Sequence, residues 1–323
     1  MNWQQELKFS IRSTTKLLDY LNIDKTAIAS TCLTQPSFPI MVTTHFADLM
    51  KKGDPNDPLL KQVLAIDLEN KTQEGFSFEP LKEDQFMPVP GLIHKYPGRA
   101  LIMLTSGCAI HCRYCFRKHI QYQERLIRPE HWSKAYAYMQ ANNITEVIFS
   151  GGDPLLTPNQ QLAEICNALH QQGIKRIRIH TRIPSILPSR IDEGFLALAR
   201  SLKNKLIIVN HINHPQEISN ALGEKSFALK QCGAFVYNQS VFLKGINDQA
   251  HILADLSEKL IDNHIQPYYI HQLDPVIGAQ HFEVAIETSK RIIHDLRKMV
   301  PGYMVPLLVQ ENPGKKSKTP LSL

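Results

Sequence analysis

Residues 106–119 read SGCAIHCRYCFRKH and set Cys108, Cys112 and Cys115 at the spacing C-x3-C-x2-C. Thiolates are ligands for soft metals, so three of them within eight residues point to metal binding or redox chemistry rather than packing. Three arrangements account for the spacing. A structural zinc ion closes its tetrahedron with a fourth ligand, for which His111 or His119 is at hand. A chance cluster is the second. The third is a cubane iron–sulfur cluster, in which three irons take thiolates and the fourth stays open for another ligand. Cys32, Cys166 and Cys232 lie far apart in apolar or mixed surroundings and read as small hydrophobes of the core.

The elements that must position the cysteines follow from the hydrophobic pattern. From Arg99 onward, short β-rich runs at 99–106, 145–152, 174–181, 205–212, 234–241 and 266–273 alternate with helical stretches such as NQQLAEICNALHQQ. Apolar strands that alternate with helices predict a parallel sheet covered by helices. Six such units predict an α/β fold, a partial (β/α)6 barrel over 95–323, preceded by a mainly helical extension over 1–94. In barrels of this kind chemistry gathers at the C-terminal ends of the strands. The cysteines follow the first run, and SGGD, Ser150 to Asp153, ends the second.

Composition excludes several classes. With 43% hydrophobic residues among 323, the chain has the material for a large core. No stretch has the form of a secretory signal, and no run approaches the ~18 apolar residues of a membrane helix, so a cytoplasmic location without membrane contact is expected. A net charge of +6 is a mild excess and no nucleic-acid signature.

C-x3-C-x2-C after a first barrel strand, with Tyr114 before the last cysteine, resembles radical S-adenosylmethionine (SAM) enzymes. That resemblance implies a [4Fe-4S] cluster on Cys108, Cys112 and Cys115, with SAM chelated to the open iron. Ser150, Gly151, Gly152 and Asp153 resemble the superfamily's motif for the methionine amino group. The segments KYPGRALIMLTSGCAIHCRYCFRKH, HTRIPSILPSRI, NHINHPQEI, YNQSVFLKGIND and PYYIHQLDPVIGAQHF further resemble the lysine 2,3-aminomutase family. The family's second cofactor, pyridoxal 5′-phosphate (PLP), is held by a lysine that follows a glycine-rich loop. ENPGKKSKTP matches that loop with Lys318 in the lysine position, making it the implied catalytic lysine in a short C-terminal PLP-binding segment.

The same resemblance implies the remaining contacts. Arg117 aligns with the arginine for the substrate carboxylate, and Asp274 and Glu311 with two carboxylates for the side-chain ammonium. A buried ammonium requires such partners, which points to lysine as substrate. Arg99 and Arg182 align with arginines around the cofactor phosphate, and Gln239 with the cofactor region. Two departures narrow the resemblance. Gln249 stands where the free-lysine enzymes carry a zinc-binding cysteine, and the sequence ends five residues beyond Lys318, before their cysteine-bearing extension. With Glu311 and the altered lysine loop, these features resemble the bacterial β-lysylation protein of the elongation factor P pathway. The implied partners are elongation factor P, its lysyl ligase and an electron donor. Competing readings are a catabolic lysine aminomutase, a glutamate-type aminomutase and a zinc-stabilised nucleic-acid-binding module.

Overall fold

Six β/α units in sequence order build the molecule, which was analysed as a computed structural model describing residues 2–24, 28, 32–33 and 36–322. Strands β1 (Leu92–Tyr96) through β9 (Thr319–Pro320) form one sheet in the order β1 to β9. The core of the sheet is β2 (Arg99–Thr105), β3 (Glu146–Gly151), β4 (Arg176–Thr181), β5 (Leu206–His211), β6 (Phe235–Val241), β7 (Gln266–His271) and β8 (Leu307–Gln310), all parallel. The antiparallel strands β1 and β9 flank them. Six of these strands coincide with the β-rich runs of the sequence to within two residues, and the expected partial (β/α)6 barrel is the fold found. β1, β8 and β9 are additions: β1 and β9 are short strands that fold back antiparallel on their sequence neighbours β2 and β8, and β8 extends the parallel sheet beside β7.

The connecting helices pack as their apolar spacing requires. In Asn159–Gln171, Leu162, Cys166 and Leu169 recur at i, i+4 and i+7 and are all buried. Cys166 is thereby a core residue. Asp192 and Ser219 cap the next two helices by accepting from the backbone N–H groups of Phe195 and Leu222.

Inside the barrel the alternation of β4 separates two environments. Ile177 and Ile179 are buried away from the central cavity, whereas Arg176, Arg178 and His180 line it, as do Thr181 at the strand end and Arg182 just beyond. The sheet curls until its ends communicate: Lys95 and Tyr96 of β1 both reach Glu311, immediately after β8. The N-terminal helices Trp3–Lys8, Thr14–Tyr20, Thr44–Asp48 and Pro58–Lys61 contribute Leu17, Phe46, Leu59 and Leu60 to the same hydrophobic core as the strands. Full burial of one such side chain stabilises the fold by about 1.5–3 kcal/mol. No helix among the described residues is long and apolar enough to cross a membrane.

Candidate active site

The cysteine loop takes its shape from the N-terminal extension. His111 N–H donates to the Met41 carbonyl at 2.9 Å, and Arg113 N–H to the Gln62 carbonyl at 2.9 Å. The Arg113 side chain is 1% exposed; its Nε and Nη2 hold Glu69 and its Nη1 donates to the Phe38 carbonyl at 2.7 Å. Cys108, Cys112 and Cys115 consequently face one cavity of about 660 Å³. Burial and the neighbouring sulfurs push the thiol of Cys108 well up and that of Cys115 up to about 11. Metal coordination removes that penalty by neutralising the crowded thiolates. His111 and His119, the candidate fourth zinc ligands, do not line this cavity: His111 Nδ1 lies 2.7 Å from the Pro39 carbonyl and His119 Nε2 3.0 Å from that of Ile277. Three thiolates with no fourth protein ligand beside them fit the cubane.

Gly151 and Gly152 fasten the end of β3 to this loop. Gly151 has φ +113°, a region that disfavours side chains, and a Cβ on Gly152 would lie 2.2 Å from the Gly107 carbonyl oxygen. Gly152 N–H donates to the Thr105 carbonyl at 2.8 Å and Asp153 N–H to the Gly107 carbonyl at 2.7 Å. Gly152→Ala should therefore separate the two loops, at a cost of about 1–3 kcal/mol. A lower melting temperature together with reduced iron per chain after reconstitution is the expected result; unchanged values of both would contradict it. Asp153 borders the cavity with its carboxylate already committed to protein donors. Its carboxylate accepts from Thr181 Oγ1 and from the backbone N–H groups of Leu155, Arg182 and Ile183, so it ties the end of β3 to the end of β4.

The C-terminal segment is a hairpin, not a frayed tail. Val309 pairs with Pro320 and Gln310 with Thr319. The turn between them sends Lys318 into the cavity and leaves Lys315 and Lys316 exposed. Lys318 Nζ donates to Glu311 Oε2 at 2.8 Å, while Lys95 Nζ (3.3 Å) and Tyr96 Oη (2.5 Å) donate to Glu311 Oε1. Burial opposes ionisation of Glu311, but the two ammonium groups and the hydroxyl outweigh it and hold the carboxyl down to about 2. Asp274 lines the same cavity without a donor of its own among the described residues. Burial, reinforced by the charge of Glu311, pushes it up to about 7.

Arg117 enters from the cysteine loop, already engaged. Its Nε and Nη2 grip Glu83 at 2.9 and 2.8 Å, and its Nη1 donates to Ser150 Oγ at 3.0 Å. Both charged side chains are 6% exposed. Burial of Arg117 disfavours its charge, Glu83 more than restores it, and the guanidinium stays cationic.

The two arginines expected at one phosphate lie apart. Strand register sets Arg99 beside Glu146 and Glu146 beside Arg176, and Glu146 pairs with both Arg176 and Arg178. Arg99 has no carboxylate partner among the described residues, so this end of the cavity carries three guanidinium groups against one carboxylate. That surplus fits a phosphate dianion. Arg182 is six residues further along β4 than Arg176, or roughly 20 Å at strand rise. Its guanidinium sits on Cys112 Sγ at 2.8 Å, so the expectation that it joins Arg99 around the phosphate is corrected by the register. Between the two ends, Nε2 of His180 and of His271 are buried without partners, and Gln239 Nε2 lies 3.4 Å from His180 Nδ1. Burial keeps both imidazoles neutral. Orphaned ring nitrogens, a surplus of cations and a lysine in one cavity fit PLP.

Residues 102–248 match the Radical SAM superfamily. The chain is 40% identical to L-lysine 2,3-aminomutase of Escherichia coli K12, over all of this chain and 95% of that protein. It is 32% identical to L-lysine 2,3-aminomutase of Clostridium subterminale, over 99% of this chain and 77% of that protein. The protein belongs to the lysine 2,3-aminomutase family of radical SAM enzymes. Membership in this aminomutase family implies a [4Fe-4S] cluster and SAM, and it supports an isomerase. A solved radical SAM methyltransferase from Sphaerobacter thermophilus, 19% identical, shares the fold with a TM-score of 0.50 over 68% of each chain.

Five aminomutase residues in this cavity escaped sequence reasoning: Glu83, Lys95, Tyr96, Arg176 and Arg178. For the last two a signal existed. RIRIHTR places Arg, Arg, His and Arg at alternate positions, and four polar side chains on one face of an interior strand mark a lined cavity.

Proposed function

We propose that the protein converts L-α-lysine into (R)-β-lysine, and that the product is destined for elongation factor P. The observation that carries this reading is the pair Asp274 and Glu311 in one cavity with Lys318 and the cysteine loop. Once bound, SAM on the cluster supplies a hydrogen-abstracting carbon radical, and PLP supplies a π-system on the migrating nitrogen.

The chain's own residues hold the substrate for that chemistry. Lys318 is the attachment point for PLP, with Arg99, Arg176 and Arg178 taking the phosphate and Gln239 and His180 beside the ring. When Lys318 gives up its charge to hold PLP, Glu311 loses one of its cations and gains capacity for an external ammonium. Asp274 is the second carboxylate of that clamp. Arg117 offers its remaining N–H groups to the substrate carboxylate while Glu83 fixes the plane of the guanidinium. Backbone around Ser150 to Gly152 faces the cysteine loop, where the SAM methionine moiety is held.

Two residues favour the elongation factor P branch over a catabolic one. Gln249 replaces the zinc-binding cysteine that the free-lysine enzymes carry there, and Glu311 replaces an aspartate. The net charge of +6 suits an acidic protein partner.

The test is anaerobic incubation of reconstituted enzyme with SAM, PLP, dithionite and lysine, followed by chromatographic separation of α- and β-lysine. Adding elongation factor P and its ligase, then hydrolysing the factor, reads the destination of the product. Rearrangement of glutamate or alanine as readily as lysine would sink the substrate assignment. Asp274→Asn should cost about 2–5 kcal/mol, roughly 30-fold to several-thousandfold in lysine specificity.

The same carboxyl predicts a pH dependence. An ammonium requires Asp274 ionised, and its position near 7 means that a proton must leave on binding at lower pH. In the PLP-free protein, where the Lys318 charge helps hold Asp274 near 7, the lysine dissociation constant should rise toward tenfold per unit as pH falls below about 7 and flatten above it until the substrate ammonium titrates near 10.4; with PLP on Lys318 the break moves up. Calorimetric titration across that range measures it; a flat profile for the wild type would remove Asp274 from the clamp.

A further inference from the structure

The aminomutase reading leaves one buried charge pair beside the cluster loop without a role. Arg182 Nη1 lies 2.8 Å from Cys112 Sγ and 2.7 Å from Tyr114 Oη, while Nη2 lies 2.6 Å from Gln62 Oε1 and 3.0 Å from Glu217 Oε2. The guanidinium stacks over Phe46 at 5.2 Å from the ring centroid. Arg182 is 6% exposed and Glu217 is fully buried. At the edge of the cavity the guanidinium is held by four partners, more than binding a mobile substrate requires.

The charge of Glu217 is spread over several donors. Its Oε1 accepts from Gln62 Nε2 at 3.1 Å and from the backbone N–H groups of Asn213 and His214 at 2.9 and 3.1 Å. Arg182 therefore presents an incompletely compensated positive charge, and a direct N–H donor, to one of the three cluster sulfurs. Reduction of a cubane adds a negative charge that its sulfurs share. Hydrogen bonds to the sulfurs, a nearby cation and exclusion of water are among the determinants of cluster potential.

We propose that Arg182 raises the reduction potential of the cluster through Cys112, and that Glu217 limits the rise as the counter-charge. Arg182 thus belongs to the reductive half of the reaction and not to the binding of PLP phosphate. One electron enters from an external one-electron donor; no bond is made or broken and no proton is required. The inference rests on Cys112 being a cluster ligand, and iron and sulfide content reports on that separately from the potential.

The experiment is an anaerobic redox titration of the reconstituted enzyme with dithionite, followed by electron paramagnetic resonance of the reduced cluster. Arg182→Gln should lower the ratio of reduced to oxidised cluster at a fixed potential at least tenfold, which is 59 mV for one electron. Glu217→Gln should shift the midpoint the opposite way. Arg182→Lys, which keeps the charge and loses the fork, should fall between wild type and Arg182→Gln. Opposite signs for the two neutralising variants are the signature of an electrostatic role, because a merely structural contact would move both alike or neither. Equal shifts, no shifts, or failure of both variants to hold iron and sulfide would overturn the proposal.

Discussion

Cys115→Ala should yield a folded but colourless protein that leaves SAM intact. The cysteine loop does not depend on its sulfurs for shape: backbone bonds from His111 and Arg113 to Met41 and Gln62, and the buried Arg113–Glu69 pair, hold it to the N-terminal extension. Circular dichroism should therefore change little. What disappears is the third thiolate, and with it the broad visible absorbance of an iron–sulfur cluster and all reductive cleavage of SAM, down to the level of enzyme without iron. Cys108→Ala and Cys112→Ala should behave alike, since three irons of the cubane each need a thiolate and neither His111 nor His119 lines the cavity to substitute. Iron and acid-labile sulfide analysis beside chromatography of 5′-deoxyadenosine is the measurement. Full SAM cleavage in any one of the three would refute the ligand assignment.

Lys318→Ala should produce the complementary loss. The cluster and SAM cleavage persist, because the β8–β9 hairpin and the cysteine loop are separate segments of the chain. Visible absorption of bound PLP and formation of β-lysine fall to background. Glu311 keeps Lys95 and Tyr96 as partners in this variant, so the carboxylate is not left unpaired and the hairpin should stay folded. Borohydride reduction of the wild type followed by peptide mapping gives the direct reading. A label on Lys318 is expected; a label on Lys315 or Lys316 would show that the turn is threaded differently from the one described.

How much of this was legible beforehand depends on the distance along the chain over which each feature is encoded. The β/α alternation from Arg99 onward is a local property, set by period-2 and period-3.6 spacing, and the six internal strands appear where that spacing places them. The cysteine spacing and the double glycine are local too. The use of Gly152 was only partly foreseen: its missing side chain admits the Gly107 carbonyl of the cysteine loop, a contact between consecutive strand ends.

Features that join distant segments were not legible in the same way. The resemblance gives Arg117 to a substrate carboxylate, and nothing near it in sequence shows that Glu83, 34 positions earlier, already grips it. Arg182 and Arg99 both align with the family's arginines around the cofactor phosphate. Only the register of β2, β3 and β4 shows that Arg99 lies level with Arg176 and that Arg182 is a strand length away, against Cys112. Lys318 stood in a tail whose composition alone reads as solvated, and pairing of β9 with β8 turned it inward.

The sequence by itself determined the order of strands and helices and the family, because these depend on residue types at short spacing. Tertiary structure alone decided which charges neighbour one another. Glu311 meets Lys95 across 216 positions and Arg182 meets Cys112 across 70, and contacts of that span are fixed by sheet register and barrel curvature, which no local periodicity specifies.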